Sequence, residues 1–103
     1  MVGNTKDKYF VEGKLVLQLY VAGMSQKSME AIENIKHLCD EHLEGSFELE
    51  IIDLYKHPEL ASEAQILFSP SLIKQFPLPK KTLIGTFRDT EKLIKGLSLR
   101  IKE

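Results

Sequence analysis

The chain has 103 residues, 43% hydrophobic and 28% charged, with a formal net charge of -1. Those totals bound a single globular domain, large enough to bury a core without staples. They exclude a basic field for unspecific nucleic-acid binding, and no apolar run approaches the length needed to cross a membrane.

The N-terminus carries Lys6, Asp7 and Lys8 and no apolar core of a secretory leader. The lone cysteine, Cys39, cannot close an internal disulfide, which fits a reducing cytoplasm. Residues 1–13 are polar and irregular and are expected to form a flexible arm, with residues 14–103 as the folded domain. Tyr9, Phe10 and Val11 are the arm residues able to dock on a neighbouring surface.

Leu15 to Val21 is nearly all apolar and is followed by Gly23. Such a run reads as a strand buried on both faces, inside a sheet. The period then changes. Ser25 or Ser28 is placed to cap a helix. Met29, Ile32, Ile35, Cys39 and Leu43 recur at spacings of three and four, which predicts one buried helical face. Gly45 is placed to end that helix. Phe47, Leu49 and Ile51 alternate with Glu48 and Glu50, the pattern of a strand with one wetter face. A right-handed crossover sets it parallel to the first strand.

The second half carries weaker local signals. His57-Pro58 opens a short helix with Leu60, Ala64 and Leu67 on its apolar face. Ser69-Pro70 stops it by about Phe68. Ser71 to Phe76 reads as a strand, Pro77 to Lys81 as a stiff turn, and Thr82 to Phe87 as another strand with Gly85 at a bulge. Asp89 or Thr90 caps a last helix with Leu93, Ile94, Leu97 and Ile101 on its apolar face. Gly96 inside it costs about 1 kcal/mol relative to Ala. Local reading therefore gives the order β-α-β-α-β-β-α. All four prolines lie after residue 57.

Little in the chain points to catalysis. Thiol–disulfide chemistry needs a cysteine at the start of the first helix, where the helix N-terminus lowers its pKa. Here that loop is Gly23-Met-Ser-Gln-Lys-Ser28, without cysteine. Cys39 lies mid-helix and reads as a small buried side chain. His37 with Glu41, and Cys39 with His42, have helical metal-ligand spacing, but no second pair completes a site. Ser25 and Ser28 read as caps rather than nucleophiles, no glycine-rich phosphate loop exists, and Lys80-Lys81 reads as a charged turn. A binding module without cofactor is favoured. A thioredoxin-like enzyme or sensor that has lost its CxxC motif is the second reading.

Several segments together resemble the KaiB family, small clock proteins that work with the ATPase KaiC. They are LQLYVAG at residues 17–23, IIDLYKHP at 51–58, ILFSPSL at 66–72 with Pro77 and Pro79 after it, LIG at 83–85 and EKLIKG at 91–96. The resemblance covers about residues 14–101 in one register.

It implies a non-enzymatic regulatory protein that binds a KaiC-like ATPase. It also implies two folds, both α/β and both keeping the N-terminal β-α-β. One is a self-associated ground state, a dimer or tetramer with the order β-α-β-β-α-α-β, and this is the order expected of the free protein. The other is a thioredoxin-like monomer with the order β-α-β-α-β-β-α that binds the KaiC ring. Pro70 stands where the thioredoxin family keeps a cis-proline, and Pro77 and Pro79 fall in the family's proline-rich turn. These three and Gly96 are the expected fold-switch residues. Lys56 keeps a basic family position. Glu30 stands where cyanobacterial members usually carry Arg, in the region that meets KaiC, so Lys56 and Glu30 are the expected partner-binding residues. Ser98 replaces a common Asp, Leu78 interrupts the family's proline run, and the family's acidic tail is not found before Glu103. These departures imply a homologue from a non-cyanobacterial bacterium, with clock-like signalling and stress adaptation as the two roles open to it.

Overall fold

A computed structural model describes residues 8–66 and 69–101 of the chain. In chain order its elements are β1 (Tyr9–Phe10), β2 (Leu15–Val21), α1 (Gln26–His42), β3 (Phe47–Asp53), α2 (Glu59–Glu63), β4 (Ser71–Phe76), β5 (Lys81–Ile84), α3 (Thr90–Gly96) and β6 (Arg100–Ile101). The main sheet runs β3-β2-β4-β5, and a small second sheet pairs β1 with β6.

β2 holds the centre because both of its edges are used. It runs parallel to β3, with Leu15 opposite Phe47 and Val21 opposite Asp53. It runs antiparallel to β4, with Gln18 opposite Ile73 and Tyr20 opposite Ser71. Strand alternation sends Leu15, Leu17, Leu19 and Val21 to one face, where they meet Ala31, Ile35, Leu38 and Cys39 of α1 and Leu93, Ile94 and Leu97 of α3. Each fully buried Leu, Ile or Val among them contributes roughly 1.5–3 kcal/mol. On the other face Tyr20, Ile52 and Ile73 pack under Leu60 and Ala64.

That second face is covered only in part, and chemistry explains how so short a helix suffices. Gln18 Nε2 donates to Glu50 Oε1 at 3.1 Å, and Gln75 Nε2 donates to Gln18 Oε1 at 2.7 Å. This polar ladder runs across β3, β2 and β4 and can face water. Only the apolar end of the sheet needs α2.

The N-terminal β-α-β follows its local signals closely. Ser25 is the N-cap of α1, its Oγ accepting from the Ser28 N–H at 3.2 Å. The two hydroxyls also share a hydrogen bond of 3.0 Å, which is how Ser28 is satisfied while buried. The buried face of α1 is Ser28, Ala31, Ile35, Leu38, Cys39 and His42. Met29 is half-exposed instead of buried. The stripe is centred about one residue earlier than the spacing of the large apolar residues predicts. The helix also stops at His42, because Leu43 is extended and bridges to Tyr9.

In the second half the structure carries the thioredoxin-like order β-α-β-α-β-β-α. The ground-state order β-α-β-β-α-α-β, expected of the free protein, is not the one found. The physical reason is that a single chain has only intramolecular partners to weigh, and residues 71–76 complete β2's open edge. β4 matches its expected span. β5 stops at Ile84, because Gly85 (φ +137°) turns the chain away and Asn34 Nδ2 donates to the Thr86 carbonyl at 2.8 Å. Leu67, expected on the apolar face of α2, lies outside the described residues, as do residues 1–7 of the N-terminal arm. Tyr9 is buried against the main core, and β1 pairs antiparallel with β6. Ile101, expected on the last helix, is half-exposed on β6.

Both short helices end in the same device. Gln65 (φ 56°) and Ser98 (φ 57°) adopt the left-handed conformation just after the caps of α2 and α3. The Gln65 and Ile66 N–H groups donate to Ser62 and Ala61 carbonyls, and those of Ser98 and Leu99 donate to Lys95 and Ile94. These are Schellman motifs, which normally place glycine at that point. A residue with a Cβ loses roughly 1–2 kcal/mol there, against roughly 0.5–1 kcal/mol of extra chain entropy for glycine. Gln65→Gly and Ser98→Gly should therefore each stabilise this fold, by about 0.5–1 kcal/mol in urea unfolding followed by circular dichroism. A loss of stability in both variants contradicts the assigned helix ends.

Candidate functional site

The register brings several chain turns to one end of the main sheet. Val21 is level with Asp53, and Tyr20, Ser71 and Ile84 lie side by side. The β2–α1 loop, the β3–α2 turn, the Ser69-Pro70 corner and the segment after β5 therefore gather at the carboxyl end of β2.

Asp53 ties the first two together. Its Oδ1 accepts from the Gly23 N–H and from the Tyr55 N–H, both at 2.9 Å. The Tyr55 donor first, then Gly23, with the charges of Lys56 and His57 behind them, holds the Asp53 carboxyl below the usual range. The Tyr55 ring lies over Gly23, where an added Cβ would come within 2.7 Å of it. Gly23 also sits at φ +69°, so any side chain there meets both steric and backbone resistance. The ring is nonetheless 76% exposed, and Met24 beside it is 65% exposed. Lys56 follows directly on the same turn and is exposed.

The second pair of segments is joined by charge. Arg88 Nη2 donates to Glu30 Oε1 at 3.1 Å and Arg88 Nε donates to Glu30 Oε2, a two-point pair between the post-β5 segment and α1. The Arg88 hydrogen bond, more than its charge, lowers the Glu30 pKa, and Glu30 raises that of Arg88. Gly85 N–H donates to the Pro70 carbonyl at 3.1 Å, fixing the corner to β5. Ile84, on the outer strand, is well exposed.

The residues singled out from sequence thus separate. Glu30, Lys56 and Pro70 share the carboxyl end of β2. Pro77 and Pro79 lie at the opposite end, in the β4–β5 turn, with Phe76 and Leu78 exposed between and before them. The peptide bonds before Pro70, Pro77 and Pro79 are all cis. Gly96 ends α3, where an added Cβ would lie 2.8 Å from a Leu83 methyl. Sequence reasoning did not find Tyr55, Asp53 or Arg88. Asp two residues before a turn tyrosine was the available signal for the Asp53 turn; nothing local marked the Glu30–Arg88 pair, 58 residues apart.

Residues 18–99 match the family model of the KaiB domain. The chain belongs to the KaiB family. It is 42% identical over 86 residues to the circadian clock protein KaiB3 of Synechocystis, an alignment that covers 84% of each chain. It is 40% identical over 84 residues to the circadian clock oscillator protein KaiB of Synechococcus elongatus, covering 82% of each. Among solved structures, the N-terminal domain of Synechococcus elongatus SasA superposes with a TM-score of 0.64 at 20% identity, over 85% of this chain and 87% of that one. The thioredoxin Deadhead of Drosophila superposes with a TM-score of 0.62 at 17% identity, over 84% and 81%. Both show the fold, which is thioredoxin-like.

KaiB homologues are clock regulatory proteins and not enzymes. The first-helix loop holds no cysteine, and Cys39 is buried, its thiol pushed up to about 11, by burial first and then by Asp40. A thiol with that pKa carries almost no nucleophilic thiolate near neutral pH. Among the described residues no group of His, Cys, Asp and Glu is placed to hold a metal ion, and no helix is long and apolar enough to cross a membrane.

Two outcomes follow. Insulin reduction with dithiothreitol should proceed at the background rate, and Cys39→Ser should leave it there; turnover that disappears in Cys39→Ser contradicts the assigned burial. The Asp53 anchor sets a pH dependence. Its folded-state pKa lies below the unfolded value of about 3.9, so its contribution to stability is complete above that value and is lost as pH falls through the folded one. Asp53→Asn should flatten the acid limb of the stability–pH profile without moving the neutral plateau's slope. An unchanged acid limb contradicts the role of the carboxylate.

Proposed function

We propose that this KaiB-family protein is a regulatory binding protein that engages a KaiC-like ATPase through the carboxyl end of β2. The observation that carries the reading is the combination found there: an exposed tyrosine and methionine, Tyr55 with its ring over Gly23 and its backbone tied to Gly23 through Asp53, and Met24 beside it, with Lys56 alongside. Aromatic side chains that are pre-positioned and exposed make strong interface anchors, because little entropy is lost on docking. Glu30, paired with Arg88, lies at the rim. It acts by fixing the post-β5 segment against α1 as much as by meeting the partner directly.

The reading includes a change of fold. Residues 14–103 act as the domain, residues 1–13 as its arm. The thioredoxin-like order is the binding-competent one, and a self-associated dimer or tetramer of ground-state order holds the protein in reserve, with Pro70, Pro77, Pro79 and Gly96 at the points where the two differ. Phe76 and Leu78, both exposed, are the apolar residues available for self-association. A minor fold populated at about 0.1–10% must lie within a few kcal/mol of the major one. The setting is cytoplasmic and the output is clock-like or stress-adaptation signalling. The competing reading, a thioredoxin-like enzyme or sensor without CxxC, has no reactive thiol to work with.

Binding to a purified KaiC-like ATPase ring, measured by interferometry, tests this. Tyr55→Ala should weaken binding by about tenfold or more, the loss typical of a central aromatic anchor. Lys56→Glu should weaken it mainly through a slower association rate that depends on salt. Full-strength binding by Tyr55→Ala places the interface elsewhere. Sedimentation velocity should show dimers or tetramers at micromolar concentration, reduced by Leu78→Asp; a monomer at all concentrations removes the reserve state.

A further inference from the structure

At the end of the sheet away from Tyr55 lies a cleft of about 220 Å3 between the β4–β5 turn and the two terminal strands. Val11, Pro77 and Leu78 form apolar walls, and Glu12, Lys74 and Arg100 supply charge. Lys74 is the unusual member. It leaves β4 on the same side as Leu72, into the packed face of the sheet, and is only 2% exposed. It forms no hydrogen bond or ion pair among the described residues, and the charge acting on it is the like charge of Lys81.

Its hydrocarbon stem is covered while the ammonium, unlike the enclosed and unpartnered Tyr9 hydroxyl, keeps an opening to the cleft, and no counter-charge meets it there. Burial first, then Lys81, pulls the Lys74 pKa down. The other two charges already offset one another, since Arg100 Nη1 lies 3.9 Å from Glu12 Oε1. The unmatched charge in the cleft is therefore a single positive one, which suits a monoanion better than a dianion. At the volume a water molecule takes in the liquid, the cleft holds roughly seven non-hydrogen atoms. Its walls suit a hydrocarbon body.

We propose that this cleft binds a small monocarboxylate, with the carboxylate on Lys74 Nζ and the hydrocarbon chain against Val11, Pro77 and Leu78. The site is built from parts distant in sequence, the turn after β4, β6 and the residues after β1. It exists only when the second half has the order described above, so a ligand that fits it favours that order by mass action.

The test is an NMR titration of the isotope-labelled protein with butyrate, at constant ionic strength, beside the neutral butyramide and inorganic phosphate. Butyrate should give saturable shifts confined to the amides of Val11, Glu12, Lys74, Leu78 and Arg100, and butyramide none. Lys74→Met, which keeps the volume and removes the charge, should weaken butyrate by at least about tenfold. Leu78→Ala, an exposed wall residue, should weaken it several-fold and serves as the test if Lys74→Met does not fold. Absence of saturable shifts, equal binding of butyramide, binding of phosphate in place of butyrate, or wild-type affinity in Leu78→Ala or a folded Lys74→Met overturns the proposal.

Discussion

The structure depends on the pairing of both edges of β2. Its parallel partner β3 arrives through α1 and is specified nearby in sequence. Its antiparallel partner β4 comes from beyond α2, more than fifty residues away, and brings β5 and α3 with it. The same strand also supplies the centre of the main core, through Leu15, Leu17, Leu19 and Val21. Losing β4 from its edge would strip α3 of its floor, because Leu93, Ile94 and Leu97 rest on residues that β2 and β4 present together. The second half is thus a single cooperative unit, hung on one hydrogen-bonded ladder.

This asymmetry explains what could be read from the chain. The β-α-β of residues 15–53 was legible because a continuous apolar run, a serine cap and an alternating strand each report on their own neighbours. Met29 was misplaced because two helical stripes, one through Met29 and Ile32 and one through Ala31 and Leu38, share Ile35 and Cys39. Spacing cannot separate them, and the burial of Ser28 depends on its bond with Ser25. The span of β4 was also legible, since prolines bracket it. The preference for the ground-state order rested on the family resemblance; the residues themselves pointed to the order that the structure has.

What was not legible is long-range. The pairing of Tyr9–Phe10 with Arg100–Ile101 joins the two ends of the described chain. It requires that α3 stop at Gly96 and reverse through Ser98, a non-glycine residue in a glycine conformation. The Glu30–Arg88 pair and the buried Lys74 belong to the same class, because each is set by elements that meet only in the folded state. The proposed binding surface was half visible. Lys56, Glu30 and Pro70 do converge on one end of the sheet, but the exposed ring that gives this end its character, Tyr55, is ordinary in sequence. Its position over Gly23 and its link to Asp53 are what single it out.

The central claim is that residues 71–76 occupy the second edge of β2 in the isolated protein. The direct measurement is cross-strand nuclear Overhauser contact in the dilute, monomeric chain. The account predicts backbone contacts between Gln18 and Ile73 and between Leu19 and Leu72, together with slow amide exchange along both strands. Contacts from residues 71–76 to some other segment, with the corresponding edge of β2 in fast exchange, would contradict it.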